Sequence, residues 1–235
     1  MTAPIAPAGP TPDRTLAPPV AARTASVPVT SHPAWARGGG GAIAVGGALL
    51  LAATVVEVPL WDDVAGPMLP LFTALFLASA VVHALAMLPL ALGSTGADGV
   101  VGTPNRVTRM VGTVALLGFG AIFLLNQTLY YVTTYGAPDG AGYSTIAWFP
   151  PLLAGAQLVF LLAASIAVVR AGVATGAARW SLLALTIVAA IAGAVAGASG
   201  EVTVVTIALV SSCVAQIVVG AVLFGARGRT VGGTV

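Results

Sequence analysis

The nine arginines of this chain, which has no lysine, all fall on one side of six apolar segments. Arg14, Arg23 and Arg37 precede the first segment, and Arg106 and Arg109 lie between the second and third. Arg170 and Arg179 flank the gap between the fourth and fifth, and Arg227 and Arg229 follow the sixth. The alternate gaps carry Asp62, Asp63, Asp139 and Glu201 and no arginine. Positive residues resist translocation, so the pattern predicts an all-α, six-pass membrane protein with both termini cytoplasmic.

Only 7% of the 235 residues are charged and 58% are hydrophobic. A soluble domain carries about 25% charged residues, so bilayer is the solvent that suits this chain. A span needs roughly 20 apolar residues. The expected spans are Gly41–Val58, Met68–Leu92, Val107–Val132, Ile146–Val169, Trp180–Ala198 and Val202–Ala226. They make up a membrane domain over residues 39–226, followed by a short cytoplasmic tail, 227–235. Trp61, Tyr130, Tyr131, Tyr135, Tyr143 and Trp148 collect at the arginine-free end as an interfacial aromatic belt, and Trp35 and Trp180 mark the opposite end. The alanine, glycine, valine and arginine bias suits a high-GC bacterium, hence its plasma membrane.

Residues 1–38 hold eight of the sixteen prolines. Proline fixes φ and removes a backbone donor, so this stretch reads as a disordered Pro/Ala-rich cytoplasmic tail. It lacks the apolar core of a cleavable signal peptide. Pro150 and Pro151 suit the first turn of the fourth span, where an amide hydrogen has no intrahelical partner. Pro89 is expected to end or kink the second span. The short gap Ala198–Glu201 makes the last two spans antiparallel neighbours. Gly193 and Gly197 have the GxxxG spacing of close helix packing, read first as packing within the chain and second as dimerisation. Two halves of three spans would have opposite orientation, as in inverted-repeat transporters, but the halves do not align convincingly.

Polar groups in hydrocarbon are costly, so they are the places to look for function. By depth, His83, Gln157 and Gln216 form a candidate midplane polar site, with Ser212 on the Gln216 face. Ser79 and Met87 share the face of His83. Glu57, Asn126 and Gln127 form a candidate outer cluster beneath the tyrosine belt. The competing reading is structural: interhelical hydrogen bonds from these side chains hold the bundle together. Glu57 is close enough to the interface to be expected ionised and solvated.

Several chemistries are excluded. Without lysine there is no Schiff base. One intramembrane histidine cannot ligate a pair of b-type haems, and the single Cys213 with a distant His32 makes no zinc site. There is no phosphate-binding GxxxxGK[ST] motif. No aspartate lies within a span to complete a serine–histidine–acid set. The glycine-rich run Gly93–Gly99 lacks a lysine and reads as a flexible inner loop, and Asn126-Gln127-Thr128 is a glycosylation triplet buried in a span. The arginines are too scattered for a nucleic-acid surface. No catalytic residue, cofactor or metal is expected.

The first functional expectation is therefore a non-enzymatic accessory, scaffold or sensor component of a membrane complex. The second is a small-solute or ion transporter, working as a homodimer, with its site at His83, Gln157 and Gln216. The third is a lipid-acting enzyme using Glu57, Asp62 and Asp63. The expected partners are the bilayer and a membrane protein or second copy of the chain.

Overall fold

The computed structural model describes residues 33–61, 63, 66–95, 98–136 and 149–226. The expected tail over 1–32, the loop residues Asp62, Asp139, Tyr143 and Trp148, and Arg227 and Arg229 lie outside the described residues. Among the described residues the structure is entirely helical. Helix α1 spans Ala34–Glu57 and runs into a 3₁₀ turn, Val58–Trp61. Helix α2 is Leu69–Leu92, and α3 is Arg106–Tyr131, extended by a π-helical turn over Val132–Gly136. Then come α4 (Phe149–Ala171), α5 (Ala178–Ala198) and α6 (Val202–Phe224). All six are long and apolar enough to cross a membrane.

Local chemistry explains several boundaries. The Asn105 side chain accepts a hydrogen bond from Thr108 N and caps α3. Pro150 and Pro151 fall in the first turn of α4, as expected. α2 continues through Pro89 to Leu92 and is closed by Gly93, whose N–H donates to Pro89 O. Ala198 and Val202 bracket a turn of three residues, and α5 and α6 pack as neighbours.

α1 begins at Ala34, a full turn and more before the expected Gly41. Four successive glycines, Gly38–Gly41, look like a helix break, because each costs about 1 kcal/mol relative to alanine. Tertiary packing reverses that cost. A Cβ on Gly40 would stand 2.7 Å from Gly220 O, so α1 and α6 approach backbone to backbone. Trp35, expected at the interface, is instead buried in the core. Trp180 is exposed, with the Arg179 guanidinium over its ring.

The helices form a closed ring. Each packs on its neighbours in sequence, and α6 returns to α1; no pair across the ring shares an extensive seam. The α1–α2 and α1–α6 seams are the most extensive and α4–α5 the sparsest. Arg37, Arg106, Arg109, Arg170 and Arg179 sit exposed at one end of the ring. The half nearest them is packed solid by one cluster that includes Trp35, Leu90, Leu116, Val168, Leu182 and Leu223. The half toward the tyrosines is looser, and cavities open there.

Candidate functional site

A small cavity of about 70 Å³ lies halfway along the ring, and every helix lines it. α1 contributes Ile43, α2 His83 and Met87, and α3 Phe119 and Phe123. α4 contributes Gln157 and Leu161, α5 Leu182, Leu185 and Ala189, and α6 Ser212 and Gln216. All four residues of the expected midplane site thus face one space.

His83 is held firmly. It is 3% exposed, and its ring packs on Phe123 with centroids 4.9 Å apart. Nδ1 lies 2.9 Å from Ser79 O. A carbonyl only accepts, so Nδ1 carries the proton and donates it there. Ser79 Oγ in turn donates to Gly46 O at 2.9 Å, tying the histidine's helix to α1. With the proton on Nδ1, neutral imidazole presents a lone pair at Nε2. Nε2 is buried, and as the side chains stand no hydrogen bond reaches it. Gln216 faces the ring as a side-chain hydrogen-bond partner of His83, and its Oε1 is buried with no other partner. Unpaired polar atoms in a protein interior are rare and costly. Turning the Gln216 amide pairs it with Nε2, and a solute that donates a hydrogen bond would compete for the same lone pair.

The expected outer cluster divides. Asn126 and Gln127 are adjacent on α3, about 100° apart around the axis, and cannot face the same way. Asn126 turns to α4, where its Nδ2 lies 3.5 Å from Gln157 Oε1. Gln127 and Glu57 line a second cavity of about 340 Å³ with Thr54, Trp61, Phe76, Tyr130, Ser212 and Cys213. Glu57, expected to be solvated, is only 5% exposed. Its Oε1 accepts from the Tyr130 hydroxyl at 2.6 Å and from the Tyr135 hydroxyl at 2.8 Å. The α3 extension makes this possible. Residues five apart do not share a face of an α-helix, but a π turn, with its i→i+5 bonds, brings them onto one.

No family model, curated protein or solved structure matches this chain. A third, open cavity of about 570 Å³ lies between α4 and α5, lined by Asn126, Gly155, Gln157, Gly193 and Ser212. Ser212 lines all three cavities, and Gln157 lines the midplane and the α4–α5 cavities. Two wider spaces in the tyrosine-bearing half thus share lining residues with the small one at His83.

The residues that composition alone did not single out are Tyr130 and Tyr135, read as belt residues, and the walls Thr54, Trp61 and Phe76. Their i, i+5 spacing was a usable signal for the two tyrosines only once a π turn was admitted. Gly193 and Gly197 also depart from expectation. A Cβ on either would meet nothing within 4 Å, and Gly193 opens into the α4–α5 cavity. Among the described residues, no three histidine, cysteine, aspartate or glutamate side chains gather to hold a metal ion.

Proposed function

We propose that this chain is a polytopic plasma-membrane protein that takes up a small polar solute inside its helix ring, for transport or for sensing. The observation that carries the reading is the convergence of His83, Gln157, Ser212 and Gln216 on one cavity lined by all six helices. Midplane polar groups facing a cavity are the usual mark of a substrate path, since they are expensive elsewhere in the bilayer. The arginine-bearing end is cytoplasmic, by the resistance of positive charge to translocation. The solute then enters from outside, through the cavity beside Glu57 or the one between α4 and α5, and meets His83 halfway along the ring.

Purified protein in lipid vesicles tests this reading. Stopped-flow light scattering would follow entry of a panel of small solutes. His83→Ala, Gln157→Ala and Gln216→Ala should each abolish a flux that the unmodified protein supports. Should all three leave every flux and every binding isotherm unchanged, the midplane cavity is structural filler.

One observation favours a second reading, as an accessory subunit or one half of a homodimer. On α5, Gly197 has nothing of this chain packed on it, while Gly193 opens into the α4–α5 cavity. A small-residue face admits another helix closely. A cysteine introduced at Gly197 that cross-links to a second copy, or to another membrane protein, would support it.

A further inference from the structure

We infer that the cavity beside Glu57 binds a small protonated amine. The inference rests on the solute reading above and names the chemical class of that solute. It begins from an imbalance of charge. Glu57 is buried, and its hydrogen-bond partners are two phenols. The three segments that join helices at this end, 58–68, 132–148 and 199–201, contain no lysine, arginine or histidine. A buried carboxylate is normally paired with a cation, because desolvating it alone is costly. The joining segments have none to offer at that end, so a cation that keeps Glu57 charged would have to come from outside.

The walls say what kind of cation it is. Trp61, Phe76 and Tyr130 line the same cavity as Glu57, and the Phe76 and Tyr130 rings lie 5.7 Å apart. Aromatic faces attract organic ammonium groups, and the attraction grows where water is excluded. A bare metal ion would instead need a shell of oxygens, which these rings do not supply. The volume, about 340 Å³, lies in the range of small-molecule sites, roughly 300–1,000 Å³.

The polar atoms agree. The Thr54 hydroxyl already donates to Leu50 O, so only its lone pairs remain for a ligand. Deeper in, the two unpartnered atoms are His83 Nε2 and Gln216 Oε1, both acceptors. From Glu57 to His83 these acceptors lie among groups that also donate, the amides of Gln127, Gln157 and Gln216 and the Ser212 hydroxyl. A primary ammonium, with three N–H donors and no lone pair, is the complement of the acceptors. Ser212, shared by the two cavities, marks where the solute passes from one to the other.

The test is calorimetric titration of the full-length protein in lipid nanodiscs with propylammonium. Propan-1-ol serves as the uncharged probe of similar shape and sodium chloride as the inorganic cation. Saturable binding of propylammonium is expected, with neither control giving heat. Glu57→Gln should weaken it more than tenfold. That variant keeps an oxygen for the two phenols, and its monodispersity and helicity would be checked alongside. Trp61→Leu should weaken binding about threefold to tenfold, the worth of one partly desolvated cation–π contact. Equal binding by Glu57→Gln, or equal heat from sodium, overturns the inference. If propylammonium is silent while propan-1-ol binds in a His83-dependent manner, the amine class is wrong and the solute reading stands. If Glu57→Gln abolishes binding but His83→Ala and Gln216→Ala change neither binding nor flux, the amine site stands and the path through the ring fails.

Discussion

Gly46 lies flat against the imidazole of His83: a Cβ there would stand 2.5 Å from Nδ1. The same residue offers its carbonyl to Ser79, whose own carbonyl receives the histidine's proton. One glycine on α1 therefore sets both the room for the ring and the direction of its lone pair. Gly46→Ala should push the imidazole out of place, at a cost of about 1–3 kcal/mol. The better helix propensity of alanine returns about 1 kcal/mol of that. Thermal unfolding in detergent would give the net loss. Solute flux should fall further than stability does, because the Nε2 lone pair is re-aimed.

Two pairs of glycines make opposite predictions. Gly40 and Gly220 touch through their backbones, so neither neighbour can yield by rotating a side chain. Gly220→Ala should destabilise the protein by about 1–3 kcal/mol. Gly193 meets nothing, so Gly193→Ala should raise stability by about 0.5–1 kcal/mol through helix propensity alone. Unfolding midpoints that move in opposite directions would bear out the seam assignment. A loss on Gly193→Ala would count against it.

Between α4 and α5, in the tightly packed half, Ser165 Oγ and Thr186 Oγ1 are buried 2.9 Å apart. Each hydroxyl is also within bonding distance of its own helix, at Leu161 O and Leu182 O, so two protons are shared among three contacts. A double-mutant cycle of Ser165→Ala and Thr186→Val should give a coupling of about 0.6 kcal/mol, up to about 1.7. A coupling of zero would mean that the intrahelical bonds account for both hydroxyls.

The arginine-end loop between α2 and α3 predicts a pH dependence. Burial pushes the Asp98 carboxyl up, but hydrogen bonds from the Ser94 and Thr95 hydroxyls and amides outweigh it and bring it down to about 2 from 3.8. A lowered carboxylate contributes stability above its ordinary range and loses it as pH falls. The loop should hold unchanged from neutral pH to about 4 and loosen as pH drops through about 2. Amide exchange at Ser94 and Thr95 across that range would show it. Asp98→Asn should speed exchange at neutral pH. Residues 93–95 and 98–99 of the glycine-rich run form turns and a bend, with Gly93 at φ 74° and Gly99 at φ 70° supplying left-handed backbone.

The six helices were legible because hydropathy over some 20 residues is a strong signal and the arginines mark every second gap. The depth of His83, Gln157, Ser212 and Gln216 was legible too, since depth is only position along a helix. What helix count and hydropathy do not carry is azimuth. Asn126 and Gln127 have the same depth yet face different cavities, and only the ring order decides which. Glu57 looked solvated because it ends its span, but the π turn after Tyr131 folds Tyr135 back over it. The start of α1 was missed for a related reason: Gly38–Gly41 reads as a break in isolation and becomes a contact surface only when α6 arrives.

That arrival has a consequence for synthesis. The ring is closed by its first and last helices, along one of its two most extensive seams. While the chain is being made, the glycine face of α1 has no α6 to cover it until the last helix is complete. Neither the space at His83 nor the one at Glu57 has all its walls before then. A chain stopped short of Ser212 and Gln216 holds at most the first five helices complete and lacks the wall that closes both spaces.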